Sequence, residues 1–169
     1  MPNTYDFTTP SGKTVDRELL IAFINTGTEA TPVWSVLGTR VEDSSNTYDW
    51  QSETIKDILG KTWTTLRKPT VTQSFDPYPL DAGDTGLTYI WKLAVVDQDA
   101  ASLAAQDMLI VHAYAGFGER YKGCAIEYNT NGGTGGGNVA AGINVTYGGD
   151  RIIGTASYTN GTVTFTPET

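Results

Sequence analysis

The sequence predicts a mainly β fold: an antiparallel β-sandwich or barrel with one helix on its flank. Three observations carry that reading. Short runs rich in Thr, Val, Ile and Tyr alternate with Gly, Pro, Asn and Asp turns from residue 19 to the end. Nineteen glycines are spread through Thr- and Tyr-rich segments, a composition that favours strands and tight turns. Only one stretch, near residues 84–97, repeats apolar residues at helical spacing. With 169 residues, 39 % apolar and 18 % charged, the chain can bury a core and lacks the composition of a disordered segment. We divide it into an extended N-terminal arm, residues 1–16, and a single β domain, residues 17–169.

The arm is polar, contains Pro2, Pro10 and Gly12, and has no sustained period, so it is expected to be poorly ordered unless something docks on it. Residues 19–24 (LLIAFI) read as a buried strand that Asn25, Thr26 and Gly27 end. After Pro32, residues Val33, Ser35, Leu37 and Thr39 alternate with Trp34, Val36, Gly38 and Arg40. That is a half-buried strand with a bulge at Gly38. Residues 43–48 read as a polar loop.

Strands at 54–59 and 62–67 meet at Gly60-Lys61, a tight hairpin connection, and a further strand covers 70–75. The run Asp76-Pro77-Tyr78-Pro79 is expected to end the sheet, because proline lacks an N–H and fixes φ. Asp84 is a good N-cap for a helix whose stripe is Leu87, Ile90, Trp91, Ala94 and Val95; a helix this short must lie on a sheet to be stable. Residues 99–106 form a linker with room for one more helical turn. Five strands are then expected at 108–114, 123–129, 138–147, 151–159 and 161–166. Gly148-Gly149-Asp150 and Asn160-Gly161 are hairpin turns, and the glycine run at 132–137 is mobile by composition.

The chemistry is mostly negative. A net charge of −8 argues against a protein that grips phosphates, although an acidic surface suits a passage that DNA must slide through. The single cysteine excludes an internal disulfide and fits a reducing compartment. No apolar run is long enough to span a bilayer, and the N-terminus lacks the pattern of a signal peptide, so a soluble protein made in the cytosol is expected, with no membrane partner. His112 shares a strand side with Met108 and Ile110 and reads as a packed or interface histidine. Cys124 reads as a buried thiol.

The Gly-Lys-Thr triplets at Gly12 and Gly60 have Phe7 and Ile55 where a phosphate loop needs glycine. Asp76, Asp81 and Asp84 do not keep calcium-loop spacing and suit turns and capping. No catalytic, cofactor-binding or metal-ligating residues are expected, and the chain does not read as an enzyme.

Three segments then carry a resemblance: WSVLGTRVED, YDWQSETIKDILGKTW and KPTVTQSFDPYPLDAGD. Together they resemble the major tail (tail tube) proteins of long-tailed phages of Gram-positive bacteria, over about residues 19–97. The resemblance implies a tail-tube-like β-sandwich in a structural virion protein, built in the host cytoplasm. Six copies would form a ring, and rings would stack into a hollow tail through which DNA passes without specific binding. It implies as partners the chain itself, a tape measure protein, a tail terminator and tail-tip proteins, and no cofactor. Residues 1–16 and 43–50 are the segments expected to reach neighbouring copies. The candidate inter-subunit residues are Tyr5, Phe7, Asn46, Tyr48, Trp50, Phe75 and Tyr78. The chain stops directly after a strand, so no appended immunoglobulin-like domain is expected. Two alternatives stay open: a carbohydrate-binding or adhesin-type sandwich that uses exposed aromatics as a stacking platform, and the tube protein of a contractile injection system.

Overall fold

Alternation of inward apolar and outward polar residues builds two antiparallel sheets that share one long strand. A computed structural model describes residues 4–169; the first three residues of the arm lie outside the described residues. The strands are β1 (Leu20–Asn25), β2 (Trp34–Leu37), β3 (Asn46–Asp49), β4 (Glu53–Lys56), β5 (Thr62–Thr65), β6 (Thr70–Pro79), β7 (Gln106–His112), β8 (Phe117–Gly132), β9 (Ala140–Tyr147), β10 (Arg151–Thr159) and β11 (Thr162–Pro167). The helices are α1 (Thr85–Trp91) and α2 (Ala100–Leu103).

The first part of β8 pairs with β7 on one edge and β10 on the other, giving the order β2-β1-β7-β8-β10-β11. From Ala125 onward β8 pairs with β9 instead and begins a second sheet, β8-β9-β6-β3. Strands β4 and β5 pair only with each other.

The main core lies between the two sheets. Ala22, Ile24, Met108 and Ile110 from one sheet belong to the same buried cluster as Val71, Phe75, Ile143 and Val145 from the other. Leu87 and Ile90 of α1 complete this cluster, and the helix presses so close to β2 that a Cβ on Gly86 would lie 3.0 Å from Leu37 Cδ2. A second, smaller core covers the opposite face of the first sheet. There Phe23, Leu109 and Val111 are roofed by Ala156, Val163 and Phe165 of the β10–β11 hairpin.

The mainly antiparallel β architecture with its flanking helix matches the expectation, and four details differ. First, residues 46–49 are not loop but β3, an edge strand that pairs with β6 in register from Asn46–Gln73 to Asp49–Thr70. Backbone pairing with a Thr/Val-rich neighbour overrides the polar composition. Second, β6 does not stop at Phe75. The register breaks between Phe75 and Tyr78 and pairing with β9 resumes at Tyr78–Ala141 and Pro79–Ala140. Pro77 falls inside that irregularity, where the ladder needs no N–H, and Pro79 is the strand's last residue. The Asp76–Pro77 peptide is cis.

Third, β8 begins at Phe117, six residues before the expected start, because Glu119 takes an inward position that an alternation pattern reserves for apolar residues. Fourth, α1 is capped by the Asp84 carboxylate as expected, accepting from Leu87 N at 3.1 Å, but its last turn, Lys92–Val96, is a π-turn. The wider turn rotates the stripe, so Leu87 and Ile90 are buried while Val95 faces solvent.

Candidate assembly surfaces

The outward face of the β8-β9-β6-β3 sheet has an unusual composition. Thr47 and Asp49 of β3 stand beside Thr72 and Thr70 of β6, which in turn neighbour Thr146 and, through Ser74, Asn144 of β9. Ala125 and Glu127 of β8 continue the face. Around Gly142 the Asp76 carboxylate and the Thr130 hydroxyl converge on the space that a Cβ would fill. The face is therefore hydroxyl and amide groups, small residues and the carboxylates Asp49, Asp76 and Glu127, with no Lys or Arg among the described residues of these strands' outward positions.

The inward side of the same sheet shows how its few polar groups are satisfied. Tyr147 donates to Gln73 Oε1 at 2.7 Å, Gln73 Nε2 donates to Ser44 Oγ at 3.0 Å, and Ser44 donates to the Ser74 carbonyl at 2.7 Å. Strand β3 pairs only with β6, so its other edge presents free backbone N–H and C=O groups among the described residues.

The seven expected contact residues fall into three groups. Tyr5 and Phe7 sit on the arm, which lies along the β7–β8 turn. The Tyr5 ring is 4.7 Å from Phe117 and its hydroxyl donates to Glu168 at 3.3 Å, while Phe7 meets Tyr114 edge-on at 5.1 Å. Thr8 N donates to the Tyr114 carbonyl at 2.8 Å. The arm thus has a seat on its own subunit. Asn46, Tyr48 and Trp50 lie on or beside the β3 edge. The Tyr48 and Trp50 rings stack at 6.4 Å with both half exposed, and Asn46 Oδ1 is buried with no hydrogen-bond partner. Phe75 and Tyr78 are core residues, their rings 5.8 Å apart, and neither presents a surface to a partner. The proline corner pointed to a turn; the strand that runs through it buries both rings.

Sequence reasoning passed over one surface altogether. The β4–β5 hairpin stands away from the two sheets, exposed along both strands, with Ile58, Leu59, Trp63 and Leu66 in solvent. Its turn was legible at Gly60; that nothing in the fold covers its apolar residues was not.

The one histidine is committed to packing. His112 Nε2 lies 2.9 Å from Glu119 Oε2 and Nδ1 lies 2.8 Å from the Tyr114 hydroxyl; with the proton on Nε2 the ring donates to the carboxylate and accepts from the phenol. Glu119 Oε1 also accepts from Tyr121 and, at 2.8 and 2.6 Å, from Arg151. Burial pushes the Glu119 carboxyl upward, but the hydrogen bonds from His112 and Arg151 and the charge of Arg151 outweigh it and hold the group below its ordinary value. Burial pushes the Cys124 thiol up to about 12. Among the described residues no group of three or more His, Cys, Asp or Glu side chains is arranged to hold a metal ion, and no helix is long and apolar enough to cross a membrane.

No protein-family model matches the chain, and no curated protein matches it in sequence. Solved structures do share its architecture. One is a chain of the sheath–tube complex of an extracellular contractile injection system (PVC) in its extended state. It is 9 % identical, with a TM-score of 0.52 over 86 % of this chain and 94 % of that one. Another belongs to the sheath/tube terminator of the same system, 11 % identical, with a TM-score of 0.51 over 85 % and 99 % of the two chains. At such identities the likeness is one of fold, and it spans nearly the whole of both partners. The chain has the fold of components of contractile injection particles.

Proposed function

We propose that this chain is the structural subunit of a hollow tail-type tube, not an enzyme, with six copies closing a ring and rings stacking end to end. The observation that carries the reading is the outward face of the β8-β9-β6-β3 sheet. Binding DNA requires Lys and Arg that displace counterions from the phosphates. A face of Thr, Ser and Asn with Asp49, Asp76 and Glu127 offers a polyanion no such contact, on a chain that is already at −8. Placed toward the axis, that face is a lumen wall along which DNA slides.

The free edge of β3 would then join a neighbour's sheet, turning an aggregation liability into a ring contact, with Asn46, Tyr48 and Trp50 at the seam and Tyr5 and Phe7 on an arm able to exchange seats. The resemblance of residues 19–97 adds the rest of the proposal: a long non-contractile phage tail in a Gram-positive host, assembled in the host cytoplasm with a tape measure protein, a tail terminator and tail-tip proteins.

A second reading, the tube of a contractile injector, is favoured by the two solved structures of that class. The two differ by the sheath, which a micrograph of the native particle reveals. The decisive experiment for both is negative-stain electron microscopy of the protein concentrated from micromolar to millimolar, and of particles from its source probed with an antibody to this chain. Rings or hollow tubes, or labelled tails, support the proposal. A monomer at every concentration that labels no tail overturns it.

A further inference from the structure

The β4–β5 hairpin is a built projection. Its turn holds Ile58 at 102 % and Leu59 at 86 % exposure, so two aliphatic side chains stand free in water. The turn beneath them is tied by side-chain contacts. Asp57 Oδ1 accepts from Leu59 N and Lys61 N at 2.9 Å each, Oδ2 accepts from Trp63 Nε1 at 2.9 Å, and the Lys61 ammonium lies over the Trp63 ring at 4.6 Å. An apolar pair on a preordered turn loses little entropy on docking. The hairpin also inverts the chain's charge: residues 53–68 carry Lys56, Lys61, Arg67 and Lys68 against Glu53 and Asp57, in a chain of 11 cations and 19 carboxylates.

The same molecule holds a cleft that matches this projection. It occupies about 850 Å³ beside β1, β2 and the segment that leads to β3, with the half-buried apolar side chains Leu20 and Val41 among its walls. Asp16, Glu18 and Glu42 also line it and are exposed. None of these three carboxylates has an ion-pair partner among the described residues, and neither does Lys56 or Lys61. Arg17, the cation of the cleft, is held by the carbonyls of Leu20 and Ser44 at 2.6 and 2.7 Å.

We infer that the Ile58–Leu59 turn of one copy docks into this cleft of a second copy, with Lys56 and Lys61 facing Asp16, Glu18 and Glu42. Charge selects the occupant. A hairpin laid on another hairpin would oppose four cations to four, whereas hairpin into cleft pairs excess positive with excess negative charge. Projection and cleft are different surfaces of one chain, so the contact is heterologous and leaves a free projection and a free cleft at the ends of every open multimer. Such contacts close into rings or continue as filaments. The inference deepens the tube proposal, on which it rests for the kind of assembly formed.

The test is oxidative cross-linking of the full chain carrying Leu59→Cys and Thr39→Cys, the second of which lines the cleft. The native Cys124 is buried and does not compete. The expected product is a ladder of covalent multimers that needs both cysteines, since a disulfide forms only when the Cα atoms approach to roughly 4.4–6.8 Å. In parallel, Lys56→Glu with Lys61→Glu should raise the concentration at which multimers form about tenfold, and Glu18→Lys with Glu42→Lys should restore it.

All substituted positions except the apolar Leu59 are exposed and polar, and matching thermal melts confirm that the variants fold. Rings or tubes without the ladder overturn the docking and leave the tube proposal standing. A ladder without rings or tubes sustains the docking and removes the tube. Leu59→Cys alone giving dimer as the main product overturns the docking in favour of hairpin on hairpin; no cross-link overturns the docking, and no assembly together with no labelled tail overturns the tube proposal as well.

Discussion

Replacing Tyr78 with Phe tests whether the proline corner belongs to the core or to an interface. The Tyr78 ring is completely buried; its hydroxyl donates to Asp84 Oδ2 at 2.7 Å and accepts from Gly38 N at 2.9 Å. Asp84 is itself buried and uses its other oxygen to cap α1. Removing the hydroxyl takes one charge-assisted hydrogen bond from a buried carboxylate, about 1.5–3 kcal/mol, and leaves a backbone N–H short of a partner, about 1 kcal/mol or more. We expect a loss of about 3 kcal/mol, which for a domain of this size lowers Tm by about 6–12 °C. The loss should be the same from about pH 7 to 9, because burial and the neighbouring Asp84 keep the folded phenol neutral and the unfolded one titrates near 10. Urea unfolding of the dilute monomer, followed by fluorescence, measures it as a fall in midpoint at unchanged m. A change below about 0.5 kcal/mol, the range of surface substitutions, would refute the buried-network argument and return Tyr78 to the surface.

Three further outcomes are expected. Gly118→Val should destabilise by about 1–3 kcal/mol, because a Cβ there would lie 2.6 Å from Ala156 Cβ and 2.9 Å from Phe165. Amide exchange should quicken in β10–β11 and not at Ile143 and Val145, and a uniform increase would count against a separate hairpin roof. The folded Glu119 carboxyl lies below the ordinary 4.5 of a free glutamate, so its contribution is complete above that value and is lost as pH falls through the lower folded one. Glu119→Gln should therefore be less stable at neutral pH and lose less on acidification below about pH 4.5; parallel pH profiles for the two proteins would remove Glu119 from the acid response. Thr72→Lys with Asn144→Lys places cations on the proposed lumen wall, and assembled tubes should then retain DNA with an affinity that falls steeply with salt. Unchanged, salt-independent passage would mean that this face does not meet the DNA.

The fold class was legible because period, turn chemistry and capping agree along most of the chain. Asp84 announced the helix, Gly60 the hairpin, and Asn160-Gly161 the last turn, each through a local requirement that only those residues meet well. The misreadings arose where tertiary structure supplies what local sequence lacks. β3 is polar and gains strand geometry only from β6, its partner. β8 hides its start because inward Glu119 is neutralised by Arg151 and hydrogen-bonded by His112, residues 32 and 7 positions away in the chain. Phe75 and Tyr78 looked available because two prolines argue for a turn, and a register shift lets the strand pass them. Of the candidate segments, the arm and residues 46–50 were legible as polar, aromatic-bearing stretches, and the strand pairing of 46–49 was not. The projecting hairpin was not, since exposure is a property of the whole fold.

The distribution of satisfied and unsatisfied groups gives the molecule its logic. Inside, Gln73, Asp84 and Glu119 have hydrogen-bond partners within the same chain, so none of these buried groups calls for a second copy. Outside, the most exposed apolar side chains stand on the Ile58–Leu59 turn, and the edge of β3 is one of those that present backbone groups without a strand partner among the described residues. A monomer gains nothing from either, and both invite association. In the proposed assembly the hydrogen-bonded turn and the charged rim of the cleft select one of these contacts, while the cation-free sheet face stays out of it. A chain arranged this way can fold first and assemble afterwards, which is what a tube of many identical copies requires of each one.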